Sequence, residues 1–401
     1  MIDMKIAIFF IPIFLVNPLF AIIGMALYMI SAGNIVVRDS KKGDLVLFGL
    51  LCCIFVSLVN MTKVPESDLM NYVYLYQSAD NYSLYSYLYQ GTYDKSGAMK
   101  EPLYSTLVWV LNRIYQGEVK PFLFTISMIE YVLSVLAVLY FGQKLKMRQY
   151  VILAGIVLMC FLPYIFTHTM HLIRQTIANA ILCYVMVKHI FYKKREWVAM
   201  VIMALMHSTS ALYLPLLLIP GYGKPFKKAW IWFAAAFGLL VGIRVVSQSL
   251  LGTGAFESDS SVAYALGRAT GEYSYGMYTL GTSIVFLIIL MLIFTIFIYF
   301  GKLIPSSDEL RQFTFIFIFT ALFILMNLQQ DLLAARYSHY LFSLFPFIIM
   351  IGFQKWKTDN IFLFLFSLGI IWFFTMYLGT GAWTYEISAG PWVTPVFMYM
   401  F

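Results

Sequence analysis

The chain reads as a series of long apolar runs separated by short polar segments. A helix needs about 20 apolar residues to cross a bilayer. Runs near that size cover 6–30, 45–61, 121–141, 150–166, 172–192, 229–250, 278–300, 312–328, 338–353 and 361–379. The pattern predicts an all-α polytopic integral membrane protein with about ten transmembrane helices. Run 6–30 is too long for a signal-peptide core and has no clear cleavage site, so it reads as a retained span. Segment 62–120 is a long external loop with amphipathic helices of its own, and 251–277 is a second external loop. Residues 1–401 otherwise form a single transmembrane domain.

Segment 197–219 departs from the pattern. It is long enough to cross once, but HSTS stands in its middle and Pro215 and Pro220 near its end. The clusters Arg38/Lys41/Lys42, Lys144/Lys146/Arg148 and Lys188/Lys193/Lys194/Arg195 fall on one side by alternation. The positive-inside rule makes that side cytoplasmic and sets the N-terminus outside. If 197–219 spans, Lys224/Lys227/Lys228, Lys302/Arg311 and Lys355/Lys357 all land outside, against Arg268 and Arg336 inside. If it breaks near His207-Ser208 and returns, the balance reverses. The favoured reading is therefore a broken or re-entrant helix pair, whose polar turn must be lined by protein or water. A single spanning helix with a weak charge bias is the competing reading.

Composition agrees. Of 401 residues, 61% are hydrophobic and only 11% charged, against roughly 25% charged in soluble domains. That excludes a soluble fold and, given the long apolar runs, disorder. Lys+Arg exceed Asp+Glu by 27 to 19, but the basic residues sit between apolar runs, a topology signal more than a nucleic-acid footprint. Cys52, Cys53, Cys160 and Cys183 all lie inside apolar runs, without the spacing of a metal site.

The candidate chemistry gathers in the segments set on the outer face. Asp68, Tyr72 and Tyr76 are four apart and share one face of a helix. A tyrosine ring with its hydroxyl suits a sugar, and equally a membrane interface. Glu101-Pro102-Leu103-Tyr104 begins an amphipathic helix reaching about Tyr115. In HTMHLIRQTIAN, His171, Arg174, Gln175, Ala178 and Asn179 form a polar stripe at the start of a membrane helix. Charge inside a span is costly and marks a functional candidate; the bland alternative is Arg174 snorkelling to headgroups. His207, at the break, titrates near neutrality and can move a proton; a structural histidine is the alternative. Arg244, Arg268 with Glu272, and the cluster Asp331, Arg336 and His339 complete the set. Arginines on one face can fork onto phosphate oxygens. No Asp-x-Asp metal motif, P-loop, G-x-G-x-x-G element or His-rich metal box occurs.

Taken in order, Asp68-x3-Tyr72-x3-Tyr76, Glu101-Pro102-Leu103-Tyr104, Ile173-Arg174-Gln175-x2-Ala178, His207-x-Thr-Ser210 and Arg336-Tyr337 resemble the EpsG-type branch of the Wzy-like bacterial polysaccharide polymerases. The resemblance covers about 60 to 350. It implies a GT-C-like membrane glycosyltransferase architecture in the plasma membrane, with its active site on the periplasmic or external side. The implied reaction moves a growing glycan from undecaprenyl diphosphate to the non-reducing end of another undecaprenyl-diphosphate-linked repeat unit, for exopolysaccharide, capsule or O-antigen. The partners it implies are the lipid-linked donor and acceptor, membrane lipid and a chain-length regulator protein. No cofactor or metal is expected.

On that basis Arg174, with Arg268, Arg336 and Arg244, is expected to clamp the diphosphate. His207 is expected to be the base, with Asp68 and Glu101 as alternatives, and Tyr72, Tyr76, Gln175 and His171 to hold the glycan. The competing functions are a glycan ligase using the same donor, a flippase or transporter for lipid-linked sugars, and a membrane acyltransferase. A transporter is disfavoured because no internal repeat is found.

Overall fold

A computed structural model describes residues 4–31, 42–90, 101–218, 281–300, 307–328, 331–380, 384–387, 390 and 394–400. Among them the chain is helical, with one isolated antiparallel bridge, Lys63 to Tyr385. Four helices are long and apolar enough to cross a membrane, Gly43–Met61, Val119–Lys144, Asp308–Met326 and Asn360–Gly379, or five if one bent pair counts as a single span. The architecture is a polytopic membrane protein. The expected span 229–250 and the external loop 251–277 lie outside the described residues.

The chain divides into two compact units, residues 1–214 with 346–401, and residues 215–345. The first unit begins with α1 (Met4–Val16) and α2 (Pro18–Ser31). This corrects the single span 6–30. The Phe10 and Tyr28 rings lie 6.2 Å apart and Phe10 sits over Gly24, whereas one straight helix would separate Phe10 from Tyr28 by about 27 Å at 1.5 Å per residue. The two helices fold back on each other at Asn17-Pro18. Asn17 stays in the backbone ladder, and its side-chain oxygen caps α2 by accepting from Phe20 N–H at 3.1 Å, while Pro18, at the first helical position, has no N–H to satisfy.

The core of this unit is α3 (Lys42–Met61), α7 (Val119–Lys144) and α8 (Gln149–Phe161). All thirteen residues of α8 are buried, as expected of a helix apolar on every side. Glycines bring these helices close: a Cβ on Gly49 would come within 2.7 Å of Val135, and one on Gly155 would strike Met350. Leu162, held extended, and Pro163 then bend the chain by 46° into α9 (Pro163–Thr169). A proline cannot follow a helical residue without clash, which accounts for the break at that point. α10 (Ile173–Met186) continues through a π-helical turn to Phe191.

Against this core pack α4 (Asp68–Ser78), α5 (Leu84–Gln90) and α6 (Pro102–Tyr115), all from segment 62–120, and the last helix α16 (Asn360–Thr380). The expected break in 197–219 is present. α11 (Trp197–Met206) spans only about 15 Å, stops at His207, and passes through a 3-10 turn, Ser208–Leu212, into a short helix, α12 (Tyr213–Leu218). Arg148, which caps α8, donates to the Phe353 and Thr358 carbonyls and its N–H to Gln354. Lys355 and Lys357 are thereby set beside Lys144, Lys146 and Arg148, the side to which the re-entrant reading assigns them.

The second unit contains α13 (Thr282–Phe300), α14 (Asp308–Met326) and the first part of α15 (Asp331–Lys355). α14 begins with Ser307, whose hydroxyl accepts from Leu310 N–H at 3.3 Å, followed by Asp308 and Glu309 in the first turn. α15 starts seven residues before the expected 338, so Asp331 and Arg336 are helical rather than in a connecting segment.

Candidate functional site

Glu101 is the N-cap residue of α6, but its side chain does not cap that helix. Pro102, at the first helical position, has no N–H to satisfy, and the carboxylate turns instead toward two other elements. Its Oε1 pairs with His207 Nδ1, and its Oε2 forms an ion pair with Arg174 at 2.6 Å. Glu101 and His207 are both buried, whereas the Arg174 side chain keeps 32% of its surface exposed.

His207 reaches this position because α11 ends there. Its backbone is extended (φ −157°, ψ 125°), and the Ser210 hydroxyl is shared between the Met203 carbonyl at 2.9 Å and the His207 carbonyl at 2.7 Å. The serine closes the turn by supplying a donor where the helical ladder ends. The His-x-Thr-Ser stretch is thus a mould for the histidine.

Arg174 is the second residue of α10. A cation in the first turn opposes the helix dipole, and Glu101 offsets that cost. Tyr72, on α4, accepts a hydrogen bond from Arg174 Nε at 3.3 Å and has the guanidinium 5.6 Å from its ring centroid. The Tyr104 ring meets Tyr72 edge-on at 5.9 Å. Five residues from four segments, Tyr72, Glu101 with Tyr104, Arg174 and His207, therefore meet in one place. The pairing of a buried carboxylate with an imidazole can hold one tautomer and stabilise a positive ring, and the half-buried guanidinium can bind an anion.

The other expected site residues are placed differently. Tyr76 is fully buried, stacked on Phe122 at 4.1 Å, with its hydroxyl donating to the Glu118 carbonyl. A ring so enclosed has no face for a sugar, and the glycan role expected of Tyr76 is withdrawn. Tyr72 is also buried and holds Arg174 rather than presenting an open ring. Asp68, half-buried, opens α4, where its charge suits the helix N-terminus. Gln175 and Asn179 are buried, so the polar stripe faces protein, against the snorkelling alternative for this helix. Arg336, half-buried, and His339, buried, belong to the second unit. Arg244, Arg268 and Glu272, and the side chain of Asp331, lie outside the described residues.

Two neighbours were not anticipated. Lys63 is buried and donates through Nζ to His171 Nε2; burial lowers its pKa to about 7 and that of His171 to about 3, the latter helped by the nearby amine. The amine is fixed by the bridge of residues 62–64 to 384–386, through Val64 N–H to the Thr384 carbonyl and Glu386 N–H to the Thr62 carbonyl. That bridge ties residues 384–386 to the start of segment 62–120. A lysine just past a span on the predicted outer side runs against the charge rule, which was the available signal. The second neighbour is Glu130, alone in an apolar run, which accepts from Thr169 Oγ1 at 3.1 Å. It secures the turn that leads into Arg174. Among the described residues no group of three or more His, Cys, Asp or Glu stands where it could hold a metal ion.

No curated protein and no solved structure matches the chain. The EpsG family model matches residues 45–387, most of the chain and all of the residues of this cluster, and the protein belongs to the EpsG family.

Proposed function

We propose that this chain is a polysaccharide polymerase at the outer face of the bacterial plasma membrane. It transfers a growing glycan from undecaprenyl diphosphate to the non-reducing end of another undecaprenyl-diphosphate-linked repeat unit. Family membership supports a glycosyltransferase-type polymerase of the Wzy kind, and the observation that carries the chemistry is the Glu101 carboxylate shared by His207 and Arg174.

In this reading His207 takes the proton of the acceptor hydroxyl as that oxygen attacks the anomeric carbon. Glu101 holds the imidazole in one orientation and stabilises the imidazolium that forms. The bond from the anomeric carbon to the diphosphate oxygen breaks, and its electron pair leaves with the diphosphate. Arg174 meets the charge that develops there. Its fork, with Tyr72 on one edge, gives it direction as well as charge. Glu101 thus moves from an alternative base to the partner of the base.

The test is polymer length in cells carrying Arg174→Ala, His207→Ala or Glu101→Gln at matched protein levels. Each is expected to abolish long chains while single lipid-linked units accumulate. Normal-length polymer from both Arg174→Ala and His207→Ala refutes the proposal. Long chains that persist on the lipid carrier while their transfer to the final acceptor is lost identify a ligase instead.

A further inference from the structure

The hydroxyl of Tyr104 is buried and has no hydrogen-bond partner among the described residues. A buried polar atom left unpaired costs free energy, and such atoms are rare enough that each needs an explanation. Tyr104 does not lie in an arbitrary spot. It follows Glu101 by three residues on the first turn of α6, the spacing at which an N-cap side chain and the third helical residue can reach each other. Its ring packs edge-on against Tyr72, the residue that holds Arg174. Burial raises its own ionisation well above the ordinary tyrosine value, with Tyr72 and Glu101 adding to the rise and Arg174 opposing it. It is therefore a neutral donor close to the ionic cluster.

The resting cluster contains a conflict. Arg174 compensates Glu101, yet in the function proposed above, on which this inference rests, the same guanidinium must meet a diphosphate. Arg174 can turn outward because about a third of its side chain is exposed; Glu101, at 5%, cannot follow it. A buried carboxylate that loses its cation needs another donor. We propose that Tyr104 is a positioning residue, the reserve donor that takes the place of Arg174 on Glu101 Oε2 when the guanidinium turns to an anionic lipid diphosphate. The hydroxyl is unpaired at rest because its partner is vacated only on binding.

The experiment uses the full chain in lipid nanodiscs and undecaprenyl diphosphate alone as probe, with affinity and thermal stability measured on the same samples. Tyr104→Phe is expected to bind the probe roughly 10- to 100-fold more weakly, the worth of one hydrogen bond to a charged group. Its melting temperature is expected to be unchanged or higher, since the lost hydroxyl had no resting partner. Glu101→Gln leaves no carboxylate to compensate, so it should bind at least as tightly as the native chain, and adding Tyr104→Phe to it should change nothing further. The inference is overturned if Tyr104→Phe binds normally, if it melts lower, or if it weakens binding equally in the Glu101→Gln background. Arg174→Ala separates the two levels: if it binds the probe as tightly as the native chain, Arg174 is not the diphosphate ligand, and the proposed function fails before Tyr104 is at issue.

Discussion

The Glu101–Arg174 pair makes an asymmetric prediction about stability. Unit charges 2.6 Å apart attract by about 6 kcal/mol at an effective dielectric of about 20. Desolvation of the carboxylate cancels a large part of this, and breaking a buried pair from one side typically costs ~3–5 kcal/mol. The two sides are not equivalent, because the Glu101 side chain is 5% exposed and that of Arg174 is 32% exposed. Arg174→Ala removes the guanidinium from a buried carboxylate that water cannot reach, and should cost about 3 kcal/mol. Glu101→Gln leaves a guanidinium that water already reaches, and should cost about 1 kcal/mol, nearer to a surface pair. The double variant should fall well short of the sum, with a coupling of about 2 kcal/mol in the cycle. Denaturant unfolding in detergent, followed by tryptophan fluorescence, measures all four proteins. Equal losses for the two single variants, or additivity within about 0.5 kcal/mol, would refute the burial argument.

Arg174→Lys keeps a charge but cannot donate to Tyr72 and Glu101 along two edges; polymerisation should fall about 10- to 100-fold in a purified lipid-substrate assay, and near-normal turnover would reduce the role to charge alone. Ser210→Ala removes the hydroxyl shared by the Met203 and His207 carbonyls and should cost ~1–2 kcal/mol, with turnover reduced about tenfold as the His207 backbone loosens; an unchanged melting temperature argues against it. Lys63, buried just beyond α3, has a pKa of about 7 in the folded chain, below its unfolded value of about 10.4. Between those limits the unfolded chain binds the extra proton, so native stability should rise with pH by up to ~1.4 kcal/mol per unit, the penalty being full below about 7 and absent above about 10.4. Melting curves from pH 6 to 10 should show that rise and lose it in Lys63→Met; a native chain whose stability falls over the range contradicts it.

Much of the fold was legible from local pattern. The break at His207 was visible in four polar residues within an apolar segment, and the Glu101-Pro102 start of α6 follows from proline at a first helical position. The face shared by Asp68, Tyr72 and Tyr76 is real, since all three are on α4, but spacing cannot tell a face that meets ligand from one that meets protein. Tyr76 stacks on Phe122, a partner from another helix that no periodicity reveals. For the same reason the sequence alone makes Glu101 only a spare base: its partners lie 73 and 106 residues away. The amino-terminal hairpin is hidden in the sequence because continuous hydropathy outweighs one local signal, the Asn17-Pro18 dipeptide, which favours turns.

That hairpin alters how crossings are counted. A chain that enters and doubles back leaves both its ends at one boundary, so the tally from residue 1 to Ser31 is zero rather than one. The basic cluster at Arg38, Lys41 and Lys42 still fixes the compartment of α3 through the charge rule. By that rule the amino terminus is expected on the cytosolic side, with the later expected assignments unchanged. Reporter fusions placed at Met1 and directly after Ser31 should respond alike, although some twenty apolar residues separate them.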